Sequence, residues 1–253
     1  MVYVTVTPAP TPTPVVTPTV APTVTPTAVP TASPTVAPTA TPDPVHTVIP
    51  ASPIITTAVQ YRDVSNDAWF YRDMQFAVRS DLIDGTGRNT FSPAADLTVA
   101  EAVELVSRLH QYLNQGEVTL KDGFWLWWYK PYRTYALEQE LIDQSIAGLK
   151  RKAMNAPISN GDFAKLLGNV LPAEDLSPIN SIPNNSIPDV KDFSPNAEVV
   201  YLLYRAGIFT GVTEQKGLDD HSFLAHESPS RAEAAVYAAR MAEPDRRVEF
   251  IIE

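Results

Sequence analysis

Tyr61-Arg62-Asp63-Val64 opens a stretch that returns late in the chain as Ile187-Pro188-Asp189-Val190. From Asp63 to Gly85 is 22 residues, and from Asp189 to Gly211 is also 22. Between those landmarks, Ala77 and Leu82-Ile83-Asp84-Gly85 find counterparts in Ala206-Gly207-Ile208-Phe209-Thr210-Gly211. Thr98-Val99-Ala100-Glu101 then matches Ser230-Arg231-Ala232-Glu233, 35 and 41 residues after the respective Asp, so the last copy holds an insertion of six. A degenerate copy lies between them. Asp122 precedes Trp128 by six residues, as Asp63 precedes Trp69; Leu141 follows Trp128 by 13, as Leu82 follows Trp69. Ser159-Asn160-Gly161-Asp162 begins its closing helix. Such self-similarity fixes the architecture before any single element is assigned.

Each copy reads as helix, loop, helix. Phe70, Met74, Ala77 and Val78 share one helical face, as do Trp128, Tyr132 and Tyr135, and Ala197, Val200, Tyr201 and Tyr204. The second helices repeat the 3.6-residue period with Ala102, Leu105, Val106, Leu109 and Leu113; Phe163, Leu166, Leu167 and Val170; and Ala234, Tyr237, Ala238 and Met241. The expectation is a mainly α domain of six helices with approximate threefold internal symmetry. Its units are 58–117, 118–180 and 181–245, with a C-terminal extension at 246–253.

Residues 1–57 are different in kind. They hold 14 of the 24 prolines and 16 threonines, no glycine, and Asp43 as their only charged side chain. Thr-Pro alternation favours polyproline II and builds neither helix nor sheet ladder, and too little large apolar surface is present to offset the entropy of ordering. This region reads as a disordered, extended spacer, reaching on the order of 150 Å at ~3.1 Å per residue.

The net charge of −10 makes the chain a poor generic ligand for nucleic acid or anionic membrane. No cysteine is present, which excludes a disulfide scaffold, thiolate metal sites and a cysteine nucleophile. No apolar run approaches the ~20 residues of a membrane span. Met1 to Thr7 lacks a basic segment followed by an apolar one, so for an exported protein the chain reads as a piece of a longer precursor. The sequence has no Gly-x-Ser-x-Gly, His-Glu-x-x-His or phosphate loop, and no carboxylate pair stands out as a glycosidase dyad. His221, His226, Asp219 and Asp220 form a weak metal pattern. No enzyme activity, cofactor or metal is expected.

The Asp-Val start, the Trp, the Leu-Ile-x-Gly loop, Phe91-Ser92-Pro93 and the Thr/Ser-Arg-Ala-Glu-like box together resemble the S-layer homology domain, in three tandem copies with a weak middle one. The Thr/Pro-rich spacer beside them is similar to the cell-surface anchors of Gram-positive bacteria, including S-layer proteins and cellulosome scaffoldins. The resemblance implies a three-pronged extracellular module. Its inter-repeat grooves bind a secondary cell wall polymer, often through a pyruvylated N-acetylmannosamine end.

On that footing, Ser230 and Glu233 form a capping box, and Arg231 at the helix start offers a planar fork for a carboxylate, helped by the unpaired N–H groups of a helix N-terminus. Val99 and Asn160 occupy the arginine position in the other two boxes, so at most one groove keeps the full anion clamp. Gly85 and Gly211 allow positive φ and close approach of a ligand; Thr86 and Thr210 offer hydroxyls. Asp63 and Asp189 are either turn residues bonding local backbone or acceptors for sugar hydroxyls. Trp69 is placed nearest a groove. Phe124-Trp125-Leu126-Trp127-Trp128-Tyr129 concentrates aromatics beyond what one buried helix face takes up. The competing expectation is a structural or protein-interaction module of a surface layer, with other surface proteins as partners and most polymer binding lost.

Overall fold

The register set by the three aspartates governs the fold. The computed structural model describes residues 59–212 and 219–252. The Pro/Thr-rich stretch 1–57 lies outside the described residues. Eight α-helices and no β-strand are found among the described residues. They are α1 (Tyr71–Arg79), α2 (Val99–Gln115), α3 (Lys130–Glu138), α4 (Gln144–Ala147), α5 (Arg151–Met154), α6 (Asn160–Gly168), α7 (Ala197–Arg205) and α8 (Arg231–Ala242). The helices α1, α3 and α7 each have nine residues and begin eight residues after Asp63, Asp122 and Asp189.

Each of these helices ends in the same turn. Asp81 (φ 54°), Glu140 (φ 58°) and Gly207 (φ 71°) all stand 18 residues after their aspartate in the left-handed region, which terminates a helix by bending the chain back. The next amide donates back into the helix: Leu82 N–H to Ala77 O at 2.8 Å, Leu141 to Ala136 at 2.8 Å, Ile208 to Leu203 at 3.0 Å. That bend drives Leu82, Leu141 and Ile208 into the core.

The packing is cyclic. α1 packs on α8, α3 on α2 and α7 on α6, while α2 also contacts α6 and α8. The first helix of each unit therefore leans on the second helix of the preceding one, in a pseudo-threefold arrangement that puts one continuous core in the middle. Met74, Phe91, Leu97, Leu105, Tyr132, Phe163, Val200, Leu203 and Tyr204 fill it. The alanines of α8 (Ala234, Ala235, Ala238, Ala239) are fully buried and let neighbours approach closely.

Two details depart from the periodicity reading. The third helix starts at Lys130, not at Trp128; Trp125–Trp127 form a 3-10 turn, and the fully buried rings are Tyr129 and Tyr132, with Trp128 half-buried. The middle loop also carries α4, capped by Asp143, and α5. The C-terminal residues fold back on the third unit: Val248 N–H donates to Gly207 O at 3.0 Å, and Phe250 N–H donates to Asn180 Oδ1 at 2.9 Å.

Candidate functional site

The starts of the second helices are where the three units meet. A helix leaves its first N–H groups without intrahelical partners. In α8 the Arg231 and Ala232 amides donate to Ala95 O (2.9 Å) and Pro93 O (3.0 Å) of the first unit. In α6 the Asn160 and Gly161 amides donate to Glu227 O (2.7 Å) and Ala225 O (3.0 Å) of the third. In α2 the Val99 amide donates to Ala156 O (3.0 Å) of the second. Each box thus plugs into the loop of another unit. The amides expected to receive an anion at the start of α8 are already occupied by carbonyl oxygens.

The boxes cap as the sequence predicts. Thr98 and Ser230 Oγ accept from the Glu101 and Glu233 amides at 3.3 and 3.2 Å, and each glutamate Oε2 accepts from the cap residue's own N–H at 2.9 and 2.7 Å. Ser159 accepts from the Asp162 amide at 3.1 Å in the middle unit.

Arg231 is 4% exposed. Its Nε donates to Phe91 O at 2.9 Å, Nη1 pairs with Glu101 Oε1 at 2.6 Å, and Nη2 donates to Asp84 O. The guanidinium also lies 5.1 Å from the centre of the Phe91 ring. The fork is therefore turned inward, where it ties α8 to the loop 84–91 and to the cap of α2. Glu101 serves two joints with one carboxylate. Asn160 does a smaller version of this work, its Nδ2 donating to Phe223 O (3.3 Å) and Leu224 O (3.0 Å).

Asp63 and Asp189 brace their loops. Asp63 accepts from the Phe91 and Ser92 amides at 3.0 and 2.8 Å; Asp189 accepts from Phe223 and Leu224, both at 2.7 Å. Burial works against ionisation of Asp63, but the two amides overcome it and lower its pKa. Gly85 and Gly211 are needed for different reasons. At Gly211 φ is +68° and a Cβ would lie 2.4 Å from His221 O; at Gly85 φ is ordinary, and a Cβ would strike Thr90 O at 2.6 Å and the Tyr61 ring at 2.7 Å. The reading of Gly85 as a positive-φ position is corrected accordingly: the left-handed residue of that turn is Asp81.

The expected site residues therefore fall in two seams. Arg231, on the helix that Ser230 and Glu233 cap, reaches Asp84 O and Phe91 O of the Asp63-braced loop that holds Gly85 and Thr86, between the third and first units. Asp189, Thr210 and Gly211 belong to the third unit's own loop, which faces Asn160. Thr86 is exposed and its hydroxyl lies 2.6 Å from that of Ser92. Arg62 and Arg88 are exposed, and their side chains make no hydrogen bond or salt bridge among the described residues. Trp69 is 68% exposed, with its ring edge-on to Phe70. His221 is committed to Thr210 O at 2.7 Å and stacks on Phe250, and no group of three or more metal-ligating side chains occurs among the described residues. No helix among them is long and apolar enough to cross a membrane.

A second buried guanidinium escaped the sequence reading. Arg108 lies on the core side of α2, its side chain 7% exposed, with Nη2 2.7 Å from Asp84 and 2.6 Å from Glu104. It also donates to Asp81 O and to the Tyr132 hydroxyl, which in turn donates to Asp122. Burial pushes the Glu104 carboxyl up to about 7 against the attraction of Arg108, and Asp84 and Asp122 push the same way. The signal available in sequence was a Glu104–Arg108 pair, i,i+4, set into the apolar stripe of Leu105 and Leu109.

The segment that carries Asp63, Trp69, Gly85, Thr86 and the Thr98 box, residues 60–103, matches the family model of the S-layer homology domain. The chain carries an S-layer homology domain. A relative, the surface-layer 125 kDa protein of Lysinibacillus sphaericus, is 27% identical over 128 residues. That similarity covers 47% of this chain and 10% of the relative, so the chain corresponds to a small part of that protein's length. The matched S-layer homology segment includes Glu101, the acceptor for Arg231, and ends before Arg108.

Proposed function

We propose that the chain is a non-catalytic attachment module that holds a surface protein to the cell wall. In this reading the units at 118–180 and 181–245 act as further S-layer homology repeats, and the Pro/Thr-rich stretch acts as a spacer outside the cell. The ligand is a secondary wall polysaccharide with an acidic, pyruvylated N-acetylmannosamine-type end. One observation carries the reading. The matched segment supplies one whole wall of the seam between the first and third units, and that seam has an arginine as its floor.

Arg231 then acts as a positioning residue, holding the loop 84–92 against α8 with help from Ser230 and Glu233. The sugar meets the Thr86 hydroxyl, the backbone beside Gly85 and the Asp63-braced turn, with the exposed Trp69 as an apolar face and the exposed Arg88 as a cation. Asp189, Thr210 and Gly211 form the weaker counterpart, where Asn160 replaces the arginine. Co-sedimentation of the full chain with Gram-positive sacculi, before and after acid removal of the secondary polymer, tests this. Binding should disappear on stripping, and Arg88→Ala should weaken binding about tenfold without lowering the melting temperature. Binding that survives stripping points to peptidoglycan and refutes the reading.

Val99 and Asn160 in the arginine positions favour a second reading, a surface-layer interaction module that has lost most polymer binding. It predicts self-association of the chain with no uptake by sacculi of either kind.

A further inference from the structure

The aromatic run 124–129 divides in two. Trp128 turns inward, edge-on to Tyr129 and Tyr132 at 5.7 and 6.4 Å between ring centres. Phe124, Trp125 and Trp127 turn outward, 70%, 71% and 46% exposed. The turn that presents them is held rigidly. Trp127 N–H donates to Phe124 O at 2.6 Å, and Gly123 N–H donates to Trp128 O at 2.8 Å. A Cβ at Gly123 would press on Pro131 and on Trp127 O, both at 3.0 Å.

Beside this turn lies a cleft of about 770 Å³ built entirely from residues 120–138, apart from the helix starts where the units meet. Phe124, Trp127, Pro131 and Tyr135 are among its lining, and Tyr135 is fixed by a 2.9 Å hydrogen bond to His110. Lys130 and Arg133 stand on its lining with Glu138. Lys130 is exposed and its side chain makes no hydrogen bond or salt bridge among the described residues; the Arg133 side chain makes one long hydrogen bond, 3.4 Å to Leu149 O, and lies over the Tyr129 ring. Contiguous exposed apolar surface of this kind marks an interaction site, and the volume is that of a small-ligand cleft. In a chain of net charge −10, two cations beside exposed indoles are a local reversal of sign.

We infer that the cleft of the middle unit binds the interior of an acidic polysaccharide strand, with pyranose faces on Phe124 and Trp127 and the strand's carboxylates at Lys130 and Arg133. An aromatic ring gives a flat apolar face to a pyranose and the indole N–H a donor at its edge. A flat protein partner would not fill a concave cleft with a charged lining. This site is separate from the seam proposed above and does not depend on it.

The probe is a hexasaccharide alternating glucuronate and N-acetylglucosamine, compared with the neutral N-acetylglucosamine hexamer. Binding to the full chain is followed by tryptophan emission and by calorimetry. The acidic hexamer should bind and shift the emission. Trp127→Ala and Phe124→Ala should each weaken it at least about tenfold, Lys130→Glu should weaken it with reduced salt dependence, and Arg88→Ala should leave it unchanged. Absence of binding by the acidic hexamer overturns the proposal, as does equal binding of the neutral one. Concentration-dependent dimerisation abolished by Trp127→Ala overturns it too, by assigning the face to a second copy of the chain.

Discussion

Replacing Arg231 by alanine should act first on stability. The side chain is buried, and its removal strands three groups at once: the Glu101 carboxylate at 2.6 Å and the carbonyl oxygens of Phe91 and Asp84. Breaking a buried ion pair from one side costs roughly 3–5 kcal/mol, because the remaining charge is left uncompensated. Glu101 is 21% exposed and keeps its Thr98 hydrogen bonds, so water relieves part of that cost and the expected loss is about 3 kcal/mol, a large share of the ~5–15 kcal/mol that holds a domain together. Urea denaturation of Arg231→Ala, Glu101→Gln and the double variant measures it, and the cycle should show a coupling of at least about 1 kcal/mol. Arg231→Lys, which keeps the charge but not the fork, should fall between. A loss below about 1 kcal/mol for Arg231→Ala, with no coupling to Glu101, would refute the inward-turned arginine and restore the open anion clamp expected from the sequence.

Other consequences follow from the same geometry. Glu104 titrates near 7 in the fold instead of near 4.5, so the folded state binds the extra proton and stability should fall as pH rises from about 4.5 to about 7, by up to about 3 kcal/mol; Glu104→Gln should flatten that part of a pH-denaturation profile. Asp63→Asn and Asp189→Asn each leave one amide facing a donor where a carboxylate oxygen accepted it; both should cost about 1–2 kcal/mol in chemical denaturation, and their near equality checks the equivalence of the two loops. Gly85→Ala forces Thr90 and Tyr61 apart by the overlap of its new methyl group and should lower stability by about 1–3 kcal/mol, read as a fall in melting midpoint.

What was legible in the sequence was the part encoded locally. The apolar period and the caps at Thr98, Ser159 and Ser230 depend on residues within a few positions of one another, the aspartate register shows by comparing the copies directly, and the capped helices begin where those signals place them. The inward turn of Arg231 was not legible. Its position at the helix start is local, but its partners at Phe91, Asp84 and Glu101 are more than a hundred residues away. Arg108 was hidden for the same reason, since Asp84, Asp122 and Tyr132 come from other elements. The aromatic run misled the start of α3 because six consecutive large residues satisfy several helical phases, and only the packing of Tyr129 and Tyr132 chooses among them. Gly85 shows a further limit: the need for glycine was visible, while its cause, the crowding of Tyr61 and Thr90, is tertiary.

The central claim is that the seam beside the S-layer homology segment reads an acidic wall polymer. Its most direct test is calorimetric titration of the full chain with purified secondary cell wall polymer, before and after hydrolysis of the pyruvyl ketal. The account predicts binding that loses most of its affinity when the ketal is removed. Unchanged affinity after that hydrolysis, or no heat of binding with intact polymer, would contradict it.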